Sequence, residues 1–72
     1  MAKMEVESEV TGNVWKILVE EGSKVTSGDV VMILESMKME IPVLAEHAGL
    51  VEEIFVEVGT VVQEGDALVS LR

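Results

Sequence analysis

Sliding the chain against itself by 37 positions, without a gap, lays residues 12–35 over residues 49–72. Ten of the 24 aligned positions are then identical: Gly12/Gly49, Val14/Val51, Ile17/Ile54, Val19/Val56, Glu20/Glu57, Gly22/Gly59, Val25/Val62, Gly28/Gly65, Asp29/Asp66 and Leu34/Leu71. The matched types are glycines and strand-forming valines, so what repeats is a structural unit. A chain of only 72 residues buries a smaller fraction of its surface than a larger domain does, and two copies of one unit must therefore close a single core between them. The same offset carries residue 38 back to residue 1 and forward past the last residue. If a two-fold axis relates the halves, the loop at Lys38 and the chain ends occupy equivalent places at opposite ends of the molecule.

Apolar and β-branched residues fall in short runs, residues 5–10, 14–20, 30–35, 39–44, 50–57 and 67–71, and each run reads as a strand. Glu21-Gly22, Ser27-Gly28-Asp29, Val58-Gly59 and Glu64-Gly65-Asp66 read as turns, with glycine supplying positive φ. Val25 and Val62 stand between turns as very short strands. Eight strands result, four per half, and no segment has helical periodicity. The expected fold is all-β, a flattened barrel or sandwich of two four-stranded antiparallel sheets with internal pseudo-two-fold symmetry, formed by residues 1–72 as a single domain. By period 2, Ile17, Val19, Ile54 and Val56 share one face and are the expected core. Trp15 occurs in one half only and is expected to pack in the core or at an edge, with an interface anchor as the alternative.

Cysteine is absent, so stability must come from packing the 49% of residues that are apolar. That absence fits a cytosolic protein, and a cytoplasmic location is expected. There is no run long enough for a transmembrane helix and no signal or transit pattern, so the chain as given is expected to be soluble and unprocessed. A formal net charge of −9 argues against nucleic acid and anionic membrane as partners. One histidine, no cysteine and no tyrosine make a poor set of acids, bases and nucleophiles for an enzyme. His47 reads as a surface loop residue, and no metal-ligand spacing is present. Pro42 fits the edge or the start of a strand.

Between the two copies lies Glu35-Ser36-Met37-Lys38-Met39-Glu40. In an extended loop Met37 and Met39 project to one side and Lys38 to the other, so two polarizable thioethers frame the base of an outward amine. Such an amine is the natural point for acylation, which removes its charge and leaves a long flexible arm. Glu35 and Glu40 are placed to pair with it weakly at the surface.

These residues resemble the biotinyl domains of the biotin/lipoyl attachment family, both the small free-standing attachment proteins and the carrier domains of biotin-dependent carboxylases. The resemblance covers essentially the whole chain, through Met37-Lys38-Met39 and through the glycine turns at Gly12, Gly22, Gly28, Gly49, Gly59 and Gly65 with Asp29 and Asp66. It implies that Lys38 sits on a tight, exposed β-hairpin and is joined to biotin by a biotin protein ligase, with Glu35, Ser36, Met37, Met39 and Glu40 recognised around it. It further implies a monomeric carrier rather than an enzyme. The attached biotin takes up carboxyl on its ureido nitrogen at a biotin carboxylase site and is carried to a carboxyltransferase. Ser36 stands where the carboxylase domains commonly have alanine, and no thumb-like insertion is present. Lipoyl domains typically carry Asp before the lysine and Ala after it, so lipoate is the less expected cofactor. Two alternatives remain: a lipoyl carrier, and a non-catalytic interaction module of lipoyl-like fold.

Overall fold

In the computed structural model, which describes residues 4–72, the two copies fold into two sheets of equal plan. The strands are β1 (Met4–Glu7), β2 (Gly12–Ile17), β3 (Lys24–Val25), β4 (Val30–Ser36), β5 (Met39–Leu44), β6 (Gly49–Ile54), β7 (Val61–Val62) and β8 (Ala67–Leu71). One sheet has the order β1-β8-β6-β3 and the other β5-β4-β2-β7, with every pairing antiparallel. Each copy therefore lends its two-residue strand to the other copy's sheet, which ties the halves into one core. The fold is the all-β, two-sheet architecture that the repeat predicts. Met1, onto which Lys38 maps, lies outside the described residues.

The offset of 37 reappears bond by bond. Gly22 and Gly59 take φ of 92° and 95°, and Gly28 and Gly65 take 94° and 93°, values that a residue with a Cβ resists. The Thr26 amide donates to Asp29 Oδ2 at 2.9 Å, and the Gln63 amide to Asp66 Oδ2 at 2.8 Å. Likewise the Glu20 amide donates to Ser23 Oγ and the Glu57 amide to Thr60 Oγ1. The Gly22 amide reaches across to the Val51 carbonyl, as the Gly59 amide does to Val14, so each turn is pinned to the opposite copy.

The core differs from the expected one. Val14, Val31, Met32, Leu34, Val51, Leu68, Val69 and Leu71 are buried at its centre, with Val6, Val25, Val43, Ala45 and Val62 around them. Ile17, Val19, Ile54 and Val56 are instead half-buried and pack against its margin. The reason is a pair of β-bulges. The β2–β4 register slips between Val14 and Lys16, and the β6–β8 register slips at the equivalent step between Val51 and Glu53. One extra residue, Trp15 or Glu52, changes which side chains face in, so Val14 and Val51 set the interior phase. Val19 and Val56 also lie past the ends of β2 and β6, which are shorter than the runs 14–20 and 50–57 suggest. Likewise β1 stops at Glu7, short of the run 5–10. Bulges at Val31 and Leu68 bring two successive side chains inside, Val31-Met32 and Leu68-Val69. Trp15, the extra residue on β2, is 45% exposed, with Lys16 Nζ 5.6 Å from its ring centroid, and is not a core residue.

Candidate functional site

The β4–β5 ribbon is the longest pairing among the described residues, running from Val30↔Leu44 past the bulge at Val31 to Ser36↔Met39. At its base, the Gly28 amide donates to the Ala45 carbonyl and the Ala45 amide donates to the Asp29 carbonyl, and Gly49 packs near the Arg72 carbonyl. At its tip only Met37 and Lys38 remain to reverse the chain. The seven residues of β4 span about 20 Å, which separates the tip from the base where the chain ends.

Closing a hairpin with two residues matches the twist of the flanking strands when both residues are left-handed, a place usually filled by Asn-Gly or Gly-Gly. Met37 and Lys38 hold φ of 53° and 64° and are the two non-glycine residues with positive φ among the described residues. Each such residue with a Cβ costs roughly 1–2 kcal/mol, so the ribbon holds the turn against local preference. Backbone strain of this kind concentrates at functional positions. The turn also replaces the extended loop expected from the sequence. Met37 and Met39 do not alternate with Lys38 along a strand, because Met37 shares the turn with it and Met39 opens β5. Both methionines are nevertheless open to solvent, Met37 at 88% and Met39 at 60%, unusual for large apolar side chains. Lys38, Glu35 and Glu40 are exposed and Ser36 is half-buried. Among the described residues no hydrogen bond or ion pair engages Lys38, so the expected pairing with Glu35 or Glu40 does not form.

Two residues that the sequence reading did not tie to the site support the turn from β2. Ser36 Oγ donates to the Thr11 carbonyl at 2.8 Å. A Cβ on Gly12 would lie 2.5 Å from the Glu35 carbonyl oxygen, so only glycine lets β2 start this close to the end of β4. Gly12 and its counterpart Gly49, where a Cβ would meet the Arg72 carbonyl at 2.9 Å, are thus close-approach glycines at strand starts and not turn residues. Their shared place in the repeat was the available signal. His47 is exposed in a loop, and Pro42 is exposed on β5, an edge strand.

A profile of the family described as biotin-requiring enzyme matches residues 4–71. Over 64 residues the chain is 48% identical to a Mycobacterium leprae protein named biotinylated protein TB7.3 homolog, covering 89% of this chain and 90% of that one. It is 46% identical over 68 residues to the biotin/lipoyl attachment protein of Bacillus subtilis, covering 94% and 93%. The crystal structure of Kluyveromyces lactis urea carboxylase superposes with a TM-score of 0.94 at 35% identity, over 100% of this chain and 6% of that one. This chain therefore belongs to the biotin/lipoyl attachment family, and in the urea carboxylase it matches one small part of a much longer protein.

Proposed function

We propose that the protein is a biotin carboxyl carrier whose point of attachment is the Nζ of Lys38. The carrying observation is an exposed amine, engaged by no neighbour among the described residues, at the second position of a strained two-residue turn. An amine free of ion pairs loses its proton to a partner's base without breaking a salt bridge. Its lone pair can then attack the carbon of an activated carboxyl; the bond to the activating group breaks, that group leaves with the electron pair, and the nitrogen gives up its second proton to leave a neutral amide. The residues fit such an arm: Met37 and Met39 offer soft apolar surface beside its base, and Ser36 and Gly12 hold the turn against β2.

When attached, biotin supplies a ureido nitrogen that accepts and yields carboxyl. The chain itself supplies presentation and local concentration: the turn at the end of the ribbon exposes the lysine, and a tether raises encounter with two successive sites. The partners in this reading are a biotin protein ligase, a biotin carboxylase and a carboxyltransferase, supported by the similarity to a domain-sized part of a urea carboxylase. A cytoplasmic monomer is the accompanying expectation, supported by the absence of cysteine and by a net charge of −9 that sets copies against one another.

Co-expression with a biotin protein ligase followed by a streptavidin gel shift tests this reading. The whole of the wild-type chain should shift and Lys38→Arg should not shift at all. A shift in Lys38→Arg would move the attachment to another lysine.

A further inference from the structure

We propose that the open seam between β1 and β5 is a docking groove for an extended segment of alternating apolar and basic residues. Each sheet has two edges. The edges at β3 and β7 are only two residues long, too short to template another strand. The edges at β1 and β5 are four and six residues long, and they flank a cavity of about 280 Å³. The floor is apolar, with Val6, Leu34, Ile41 and Val43, and the rim carries three carboxylates, Glu7, Glu9 and Glu46. A second, adjoining hollow adds Glu5 and Glu64 to the same mouth.

The occupant follows from this chemistry. Among the described residues nothing cationic lines either hollow, and the chain as a whole is strongly acidic, so the described lining offers no counterpart to an anionic segment. An extended segment points alternate side chains to opposite sides. One apolar side chain can therefore enter the cavity while its neighbours bring ammonium or guanidinium groups to the rim. Edge strands offer unpaired backbone groups to such a segment. Pro42 withholds an N–H from β5, which leaves β1, with no proline, as the better edge for pairing. Since β5 is also the strand that leads away from Lys38, a segment seated here lies beside the hairpin without covering it. The groove belongs to the unmodified chain and does not depend on what Lys38 carries.

The test is a ¹⁵N–¹H titration of the full chain, unmodified and with Lys38→Arg, using the peptide Lys-Val-Lys-Leu-Lys-Val-Lys and its glutamate counterpart. The expected result is saturable shifts confined to residues 5–10 and 41–46 with the lysine peptide only, weakening as salt is raised. Replacing both Glu9 and Glu46 with Gln should weaken binding about fivefold, the combined effect of two rim charge pairs. Leu44→Lys, at an exposed position on the rim, should abolish it, with an unchanged spectrum of the free protein showing that the fold persists. The proposal is overturned by an absence of saturable shifts, by an equal response to the glutamate peptide, or by shifts centred on Trp15 or the hairpin. None of these outcomes bears on acylation of Lys38, which the streptavidin shift reads separately.

Discussion

Gly12 and Gly49 occupy the same place in the two halves, yet they leave room for different things. Gly12 admits the last residues of β4 before a closed turn, held further by the bond from Ser36 to Thr11. Gly49 admits the carbonyl of Arg72, just past β8; the Arg72 guanidinium lies 3.7 Å from Glu52 there. The supporting framework is the same in both: matched bulges, matched glycines in the positive-φ region, and matched aspartate caps. What differs is the two-residue connection at Met37-Lys38. Duplication thus provides two matched platforms, and only one of them carries a strained two-residue turn, the one that exposes Lys38.

Substituting the two glycines separates platform from load. Gly12→Ala places a Cβ against the Glu35 backbone, between paired strands that cannot both yield. We expect a loss of about 2–3 kcal/mol in urea unfolding, together with slower biotin incorporation. Gly49→Ala meets the Arg72 carbonyl at 2.9 Å, a looser approach than the 2.5 Å at Gly12, and should cost about 1 kcal/mol and leave incorporation unchanged. Equal losses from both would show that the approach of Gly12 to Glu35 is no tighter in effect than that of Gly49 to Arg72.

Next in size are the caps. Asp29→Ala and Asp66→Ala each remove one bond to a backbone amide, at Thr26 and Gln63, and each should cost about 1 kcal/mol. Agreement between them would sharpen the symmetry of the platforms, and a difference much above 0.5 kcal/mol would break it. The smallest effect should come from the turn. Met37→Asn puts a residue more tolerant of the left-handed region at the first turn position, and should raise stability by about 0.5–1 kcal/mol. Its incorporation rate with the ligase should fall or stay level, since an apolar contact surface is lost. A decrease in stability would mean that the left-handed conformation of Met37 carries no cost.

The repeat made the fold readable because glycine at positions 22, 28, 59 and 65 can be explained only by backbone conformation, and an ungapped offset demands equal plans. The interior was less readable. A bulge leaves no mark in a string of apolar residues, so alternation read from Ile17 and Val19 pointed to the margin of the core and missed Val14, Met32 and Leu68. Trp15 was ambiguous for the same reason, since the extra residue of a bulge has no assigned face. At the site, Lys38 stood out between two methionines, but the turn did not. Met-Lys carries none of the usual chemistry of a two-residue hairpin, and only the family resemblance implied one. The contact between Gly12 and Glu35 joins residues far apart in sequence and leaves no local signature.

The central claim, that Lys38 alone carries an acyl cofactor and that the cofactor is biotin, is met most directly by intact mass and peptide mapping. The chain would be co-expressed in parallel with a biotin protein ligase and a lipoate ligase. The account predicts one biotin-sized increment, confined to the peptide holding Met37-Lys38-Met39, and no substantial lipoyl increment. A lipoyl increment in preference to biotin, an increment on any other lysine, or no increment with either enzyme would contradict it.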